Sequence, residues 1–258
     1  MAGRDQSDLN IKTQSLSLMR RSDAGFRMPN VASKTRLARQ AIDRFLVDVA
    51  AQLAPNALVV DGGAGNCKHK NFFPHVRYIA FDFKPRRKRA YGEVDLAADL
   101  YKLPFRKGTF EAAINVDVLE HLREPGDVLK ELCRVLRPGG SLFLIAPQGW
   151  QEHGMPNDYF RFTSSGLRYL LEQAGFEILS IRPMGGFFWY LGHRISLSYR
   201  YLFPAKRRMI WKVLDAPLRH PARLLLRFII PYLCFHLDVL DKEKSFTLNY
   251  GCICRKPL

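Results

Sequence analysis

An α/β fold is what this 258-residue sequence predicts, and three observations predict it. Short apolar and β-branched runs alternate with helical stretches, the pattern of a mostly parallel sheet covered on both faces. One of these runs, Leu58-Val59-Val60-Asp61, passes directly into the glycine-rich turn Gly62-Gly63-Ala64-Gly65. The last two strand-like runs are separated by about sixty residues, far beyond an ordinary loop, so an insertion with its own structure is expected there.

Taken in order, residues 1–33 mix Ser, Asp, Arg, Gln and Asn without a sustained period and read as a loose arm. Over 34–53, Leu37, Ala41, Phe45, Leu46, Val49 and Leu53 recur at three and four residues, one face of a helix. Strands follow at 57–61, 78–81, 93–95, 111–116 and 141–146, with helices between them. The helix over 127–136 is the clearest, because Val128, Leu129, Leu132, Val135 and Leu136 form a stripe before Arg137-Pro138-Gly139-Gly140, which should stop the helix and turn the chain. A loop over 147–162 leads to a helix that Thr163 or Ser164 would cap and Gly175 would end. The sixth strand is expected at 176–181 and the next within 246–255.

The 47% hydrophobic and 25% charged content is that of an ordinary globular protein, long enough for one substantial core. The polar start MAGRDQSDLNIKTQ lacks the apolar core of a secretory leader, so the cytoplasm is the expected compartment. Five cysteines, Cys67, Cys133, Cys234, Cys252 and Cys254, form no regular framework and read as reduced thiols. Cys252 and Cys254 would share one face of a strand, as packed core thiols, and no metal site is assigned. The net charge of +16 points to an anionic partner. Basic residues gather at Lys84-Pro85-Arg86-Arg87-Lys88-Arg89, at Lys206-Arg207-Arg208 and along Arg219, Arg223 and Arg227, where a merely solvated face is the alternative.

The glycine turn lets backbone approach a ligand closely. A dinucleotide fingerprint begun at Gly63 and Gly65 would need its third glycine where Lys68 stands, so the nicotinamide reading fails. Asp82, at the end of the second strand, suits a carboxylate that accepts hydrogen bonds from two ribose hydroxyls. A nucleoside bound at the carboxyl ends of the strands is the expectation.

The ordered set Asp61-x-Gly63-x-Gly65, Asp82, Asp99-Leu100-x-x-Leu103-Pro104-Phe105, Phe110-Glu111, Val118-Leu119-Glu120-His121-Leu122 and Arg134-Val135-Leu136-Arg137-Pro138-Gly139-Gly140 resembles class I S-adenosylmethionine-dependent methyltransferases. The resemblance implies a Rossmann-like seven-stranded sheet, mostly parallel with an antiparallel last strand, built from 34–183 and 246–258, with 184–245 as a helical, aromatic and basic insertion. It implies S-adenosyl-L-methionine as cofactor. Gly63 and Gly65 would line the methionine part, Asp61 would hold the amino group, Asp82 the ribose and Asp99 the adenine amino group. Leu100 would meet the ring edge, and Asn115 to Asp117 would form the floor near the sulfonium. The sequence departs from the family at Cys67, where a final glycine is common and a side chain is expected to face the ligand, and at Glu111, where Asp is usual.

A second segment, His153-x-x-Pro156-x-Asp158-Tyr159-x-Arg161-x-Thr163, falls in the loop after the fifth strand and resembles a loop of bacterial methyltransferases encoded among surface-glycan and lipid genes. Two readings stand. His153 or Asp158 serves as general base with Tyr159 and Arg161 clamping the acceptor, or Asp158 and Arg161 pair, Tyr159 packs and Thr163 caps. His121 is likewise either a site residue or a histidine satisfying local hydrogen bonds. Methyl transfer from a sulfonium is already activated, so alignment and exclusion of water carry most of the catalysis.

The insertion holds no run of about twenty apolar residues and is not expected to span a bilayer. Arg223 and Arg227 flank Leu224-Leu225-Leu226, and Pro231 should break the apolar run 228–235, as in helices lying in a membrane interface. A lid over the site or over a dimer partner is the other reading. The acceptor class expected is a small-molecule, glycan or lipid-linked anion at an anionic membrane surface. An RNA methyltransferase and a non-catalytic binding module are the alternatives.

Overall fold

The computed structural model describes residues 36–83, 93–204 and 216–258; the arm 1–33 and the basic runs at 84–89 and 206–208 lie outside them. Seven strands form one sheet in the order β3-β2-β1-β4-β5-β7-β6. They are β1 (Leu58–Gly62), β2 (Arg77–Asp82), β3 (Leu96–Ala97), β4 (Phe110–Val116), β5 (Leu136–Pro147), β6 (Glu177–Met184) and β7 (Asn249–Arg255). Strands β1 to β5 pair in parallel, while β7 runs antiparallel between β5 and β6. The order reverses between β1 and β4, the point where open α/β sheets leave a crevice at the carboxyl ends of the strands.

Both faces of the sheet are covered, as the near-continuous apolar strands require. Val60, Phe81, Ala113 and Leu144 join one buried cluster with Leu129 and Leu132 of helix α2 (Pro125–Val135) and Leu167 and Leu171 of α3 (Ser164–Gln173). Val59, Ala80, Ile114 and Ile145 join the other with Ile42, Leu46 and Val49 of α1 (Leu37–Ala50). Adjacent Val59 and Val60 thus face opposite layers, the two-residue period of a strand. Cys252 and Cys254 share one cluster, and burial raises both thiols, that of Cys254 to about 12.

Several elements differ from the sequence expectation. The third strand lies at Leu96–Ala97 rather than over 93–95; at Asp95 the backbone N–H donates to Ala80 O and the carboxylate accepts from the Ala80 N–H, both at 2.7 Å, so a side chain stands where a main-chain carbonyl would meet that N–H. Between β1 and β2 the helix shrinks to a 3-10 turn, Lys70–Phe72. Residues 137–140 do not make a turn between helix and strand: β5 begins at Leu136, which pairs with Phe110, and the next pair is Ser141 with Ala112. The four residues are a bulge that Gly139 permits with φ +73°. The carbonyls at the end of α2 are met instead by the Lys256 ammonium, 2.7 Å from both Cys133 O and Leu136 O.

The described residues of the insertion are largely helical: α4 (Phe187–Leu202), α5 (Ala216–Leu224) and α6 (Ile230–Leu237). Pro231 does not break the run. A π-helical turn, Leu225–Ile229, leads straight into α6 with the Ile230 N–H bonded to Leu225 O, so the chain stays helical through Pro231. No helix among the described residues is long and apolar enough to cross a membrane.

Candidate active site

The site begins where β1 ends. Gly63 has φ +80°, and a Cβ there would stand 2.7 and 2.8 Å from the Val118 methyls, so this backbone has room for glycine alone. Gly65, at φ +56°, donates its N–H to the Asp82 carboxylate at 2.8 Å. The glycine turn and the acid of β2 therefore form one unit. Cys67 also adopts a positive φ, +55°, which explains why glycine is common there. Its side chain does not face the ligand as expected: that backbone turns it into the buried cluster under β1, with no exposure.

Asp61 is buried and accepts a short hydrogen bond from the Tyr78 hydroxyl. Burial pushes its carboxyl up to about 7, against the opposing effects of Tyr78 and Lys68. Asn115 is fully buried on β4; its amide donates to Gly62 O at 2.9 Å, and its Oδ1 has no hydrogen-bond partner. Leu100 packs beside the end of β1, where a Gly62 Cβ would lie 2.9 Å from its Cδ2. Asp99 shapes its own turn by accepting from the Tyr101 N–H at 3.0 Å.

The loop after β5 is tied down by the pair its motif suggested. Arg161 contacts both Asp158 oxygens at 2.7 Å and also binds the carbonyls of Trp150 and Gln151, while Asp158 accepts from the His153 N–H. These bonds hold the Asp158 carboxyl well below the usual carboxylate range, with Arg161 the main cause, so it is a poor proton acceptor. Thr163 rather than Ser164 caps α3, its hydroxyl accepting from the Gly166 N–H at 3.1 Å. The Tyr159 hydroxyl sits between Asn157 and Arg123 at 3.0 and 3.1 Å.

His121 and His153, 32 residues apart in sequence, meet with ring centroids 4.9 Å apart in an edge-to-face contact. Behind them lies Glu120, fully buried, its carboxyl pushed up to about 8 by burial and by neighbouring Asp117. Asp117 occupies a left-handed conformation, φ +54°, and accepts from the Asn249 amide at 2.8 Å; Asn249 in turn accepts from the Trp150 indole. Glu120, Tyr78, Asn249 and Trp150 escape sequence reasoning as separate signals. Only the acid-histidine pair at 120–121, bracketed by Leu119 and Leu122, hints at a buried polar group.

Helix α4 reaches this loop through Arg194, whose guanidinium binds Gly149 O and Gln151. Both ends of the insertion meet at Asp238, which accepts from the N–H groups of Gly186 and Trp189 and from Lys244.

Comparison with known proteins agrees with this geometry. Residues 60–144 match the methyltransferase-domain family. The chain is 32% identical over 133 residues to a Mycolicibacterium smegmatis protein designated "Probable S-adenosylmethionine-dependent methyltransferase", covering 46% of this chain and 52% of that one. It is 32% identical over 106 residues to an Arabidopsis thaliana tRNA (carboxymethyluridine(34)-5-O)-methyltransferase, covering 39% of this chain and 26% of the relative. The chain thus spans from about a quarter to about half the length of these two relatives. The fold is shared with the 1,6-didemethyltoxoflavin-N1-methyltransferase of Burkholderia thailandensis, crystallised with S-adenosylhomocysteine, at a TM-score of 0.52, 15% identity, and 95% and 90% coverage of the two chains. A glycine turn bonded to the acid of β2, a reversed strand order above it and these matches together establish that the chain carries a class I S-adenosylmethionine-dependent methyltransferase domain.

Proposed function

We propose that this protein transfers the methyl group of S-adenosylmethionine to an acceptor presented at an anionic lipid surface, a lipid-linked or phosphate-bearing molecule. The cofactor would lie over the carboxyl ends of β1, β2 and β4. Gly63 and Gly65 would line its methionine part, Asp61 would take its ammonium, Asp82 its ribose, and Asp99 and Leu100 its adenine. Asn115, with an unmet carbonyl oxygen, would close the floor. The acceptor would enter between the 147–162 loop and α4. Asp158 and Arg161 then serve to hold that loop, and His121, His153 and Tyr159 are left to meet the acceptor.

The observation that carries the surface reading is the row Leu225, Ile229, Leu233 and Leu237, spaced by four residues and 42–53% exposed, with Arg223 and Arg227 exposed beside it. Apolar side chains flanked by arginines suit a helix lying at the headgroup boundary. The start of the acceptor loop, at Gly149 and Gln151, is bonded to the same insertion through Arg194.

A second reading, methylation of RNA, is favoured by the tRNA-methyltransferase relative and the net charge of +16. Labelled methyl transfer from S-adenosylmethionine into fractionated cell extract decides between them. Label in the organic-extractable fraction supports the proposal, and label confined to RNA overturns it.

A further inference from the structure

The Glu120 carboxylate is fully buried, yet neither oxygen has a hydrogen-bond partner. A buried carboxyl group with neither oxygen met is unfavourable whether ionised or neutral, and native structures hydrogen-bond it, pair it or give it to a cation. The groups facing it are two imidazole nitrogens. His153 Nε2 lies 3.6 Å and His121 Nε2 3.8 Å from Glu120 Oε1. Both separations are too long for a hydrogen bond. They are close to the edge of a coordination polyhedron: two ligands at ~2.1 Å from a tetrahedral ion stand about 3.4 Å apart.

The tautomers point the same way. His121 Nδ1 is 2.6 Å from Asn157 O, and His153 Nδ1 is 3.1 Å from Gln151 O. A carbonyl only accepts, so each Nδ1 carries the proton and each Nε2 turns its lone pair toward Glu120. Arg161 also approaches His153 Nδ1, but at 3.4 Å, the longer of the two contacts. An imidazole that donates one N–H to a backbone carbonyl and offers the other nitrogen is the usual arrangement around a bound metal. One ligand atom from each of Glu120, His121 and His153 lies within 4.8 Å of the other two.

We propose that Glu120, His121 and His153 bind a divalent transition-metal ion through one carboxylate oxygen and two Nε2 atoms. Two imidazoles and one carboxylate favour Zn2+, Fe2+ or Mn2+ over Mg2+ and Ca2+, which take oxygen ligands. The imidazoles are 29% and 39% exposed, so positions on the ion remain open to an external ligand. An oxygen of the methyl acceptor is the ligand that fits; this last step rests on the methyl-transfer reading, whereas metal binding does not.

The test uses tag-free full-length protein, stripped with chelator and titrated with Co2+ and Zn2+ by visible absorption and calorimetry, with S-adenosylhomocysteine titrated into the same preparations. One ion per chain is expected, with d–d absorption from nitrogen and oxygen ligands and displacement of Co2+ by Zn2+. His153→Gln and His121→Gln should each weaken Zn2+ binding by about a hundredfold while S-adenosylhomocysteine still binds. No stoichiometric binding by protein that binds S-adenosylhomocysteine, or binding that survives both substitutions, overturns the metal site. Metal binding without S-adenosylhomocysteine binding would leave the metal site standing and defeat the cofactor reading.

Discussion

The end of the central strands and the helical insertion solve opposite problems. At the strand ends, backbone geometry makes the site: Gly63 and Gly65 at positive φ, a buried Asp61, and Asp82 bonded to a backbone N–H. In the insertion, side chains make the surface, and Leu225, Ile229, Leu233 and Leu237 remain 42–53% exposed on helices anchored at a few polar points. At Gly63 a Cβ has nowhere to go, because it would stand 2.7 Å from a Val118 methyl. A surface of apolar side chains flanked by arginines depends on their character more than on any one contact.

The sharpest way to break this contrast is Asp82→Ala. Loss of the carboxylate that holds the Gly65 N–H should weaken binding of S-adenosylmethionine and S-adenosylhomocysteine by about a hundredfold in calorimetry, as expected for charge-assisted bonds. Gly63→Ala comes next. Its positive φ and the Val118 methyls at 2.7 and 2.8 Å should cost ~2–3 kcal/mol in denaturant unfolding, part of it recovered by adding Val118→Ala.

A smaller effect follows from Asp61, whose carboxyl is raised from 3.8 to about 7 by burial. The unfolded chain gives up this proton at lower pH than the folded one. The contribution to stability is therefore fully present below about 3.8 and is lost as pH rises through about 7. A cofactor ammonium needs the ionised form, so affinity for S-adenosylmethionine should rise about tenfold from pH ~6 to pH ~8 and stay flat in Asp61→Asn. Smallest is Ile229→Ser with Leu233→Ser, which should reduce co-flotation with anionic vesicles several-fold and leave cofactor affinity within about twofold. Equal flotation of wild type and variant would remove the distinction between the two regions.

The strand-end half was legible because its signals are local. A strand running into Gly62-Gly63-Ala64-Gly65, an acid ending the next strand, and a stripe ending at Leu136 each need only a few neighbouring residues, and the order of seven strands followed from the resemblance they carry. What misled were places where a distant side chain overrides local preference. Lys256, distant in sequence but next to β5 at the end of β7, satisfies the end of α2, and Pro138 and the glycines form a bulge. The Asp95 carboxylate takes the Ala80 N–H that a main-chain carbonyl would otherwise meet. Cys67 keeps the backbone of the glycine it replaces and hides its sulfur, which no one-dimensional pattern shows. The convergence of His121 and His153 on Glu120 was invisible for the same reason, since it needs two loops folded onto one another.

The Asp238 knot bears on what a change of length in the insertion would do. One carboxylate receives the N–H groups of Gly186 and Trp189 at the entrance of the helical excursion and the Lys244 ammonium at its exit. The two ends of the excursion are thus tied to one another at a single carboxylate. Each doubling of a flexible loop between them would raise the closure cost by only about 0.6 kcal/mol. A change of length within the excursion would therefore leave the register of β6 against β7 in place.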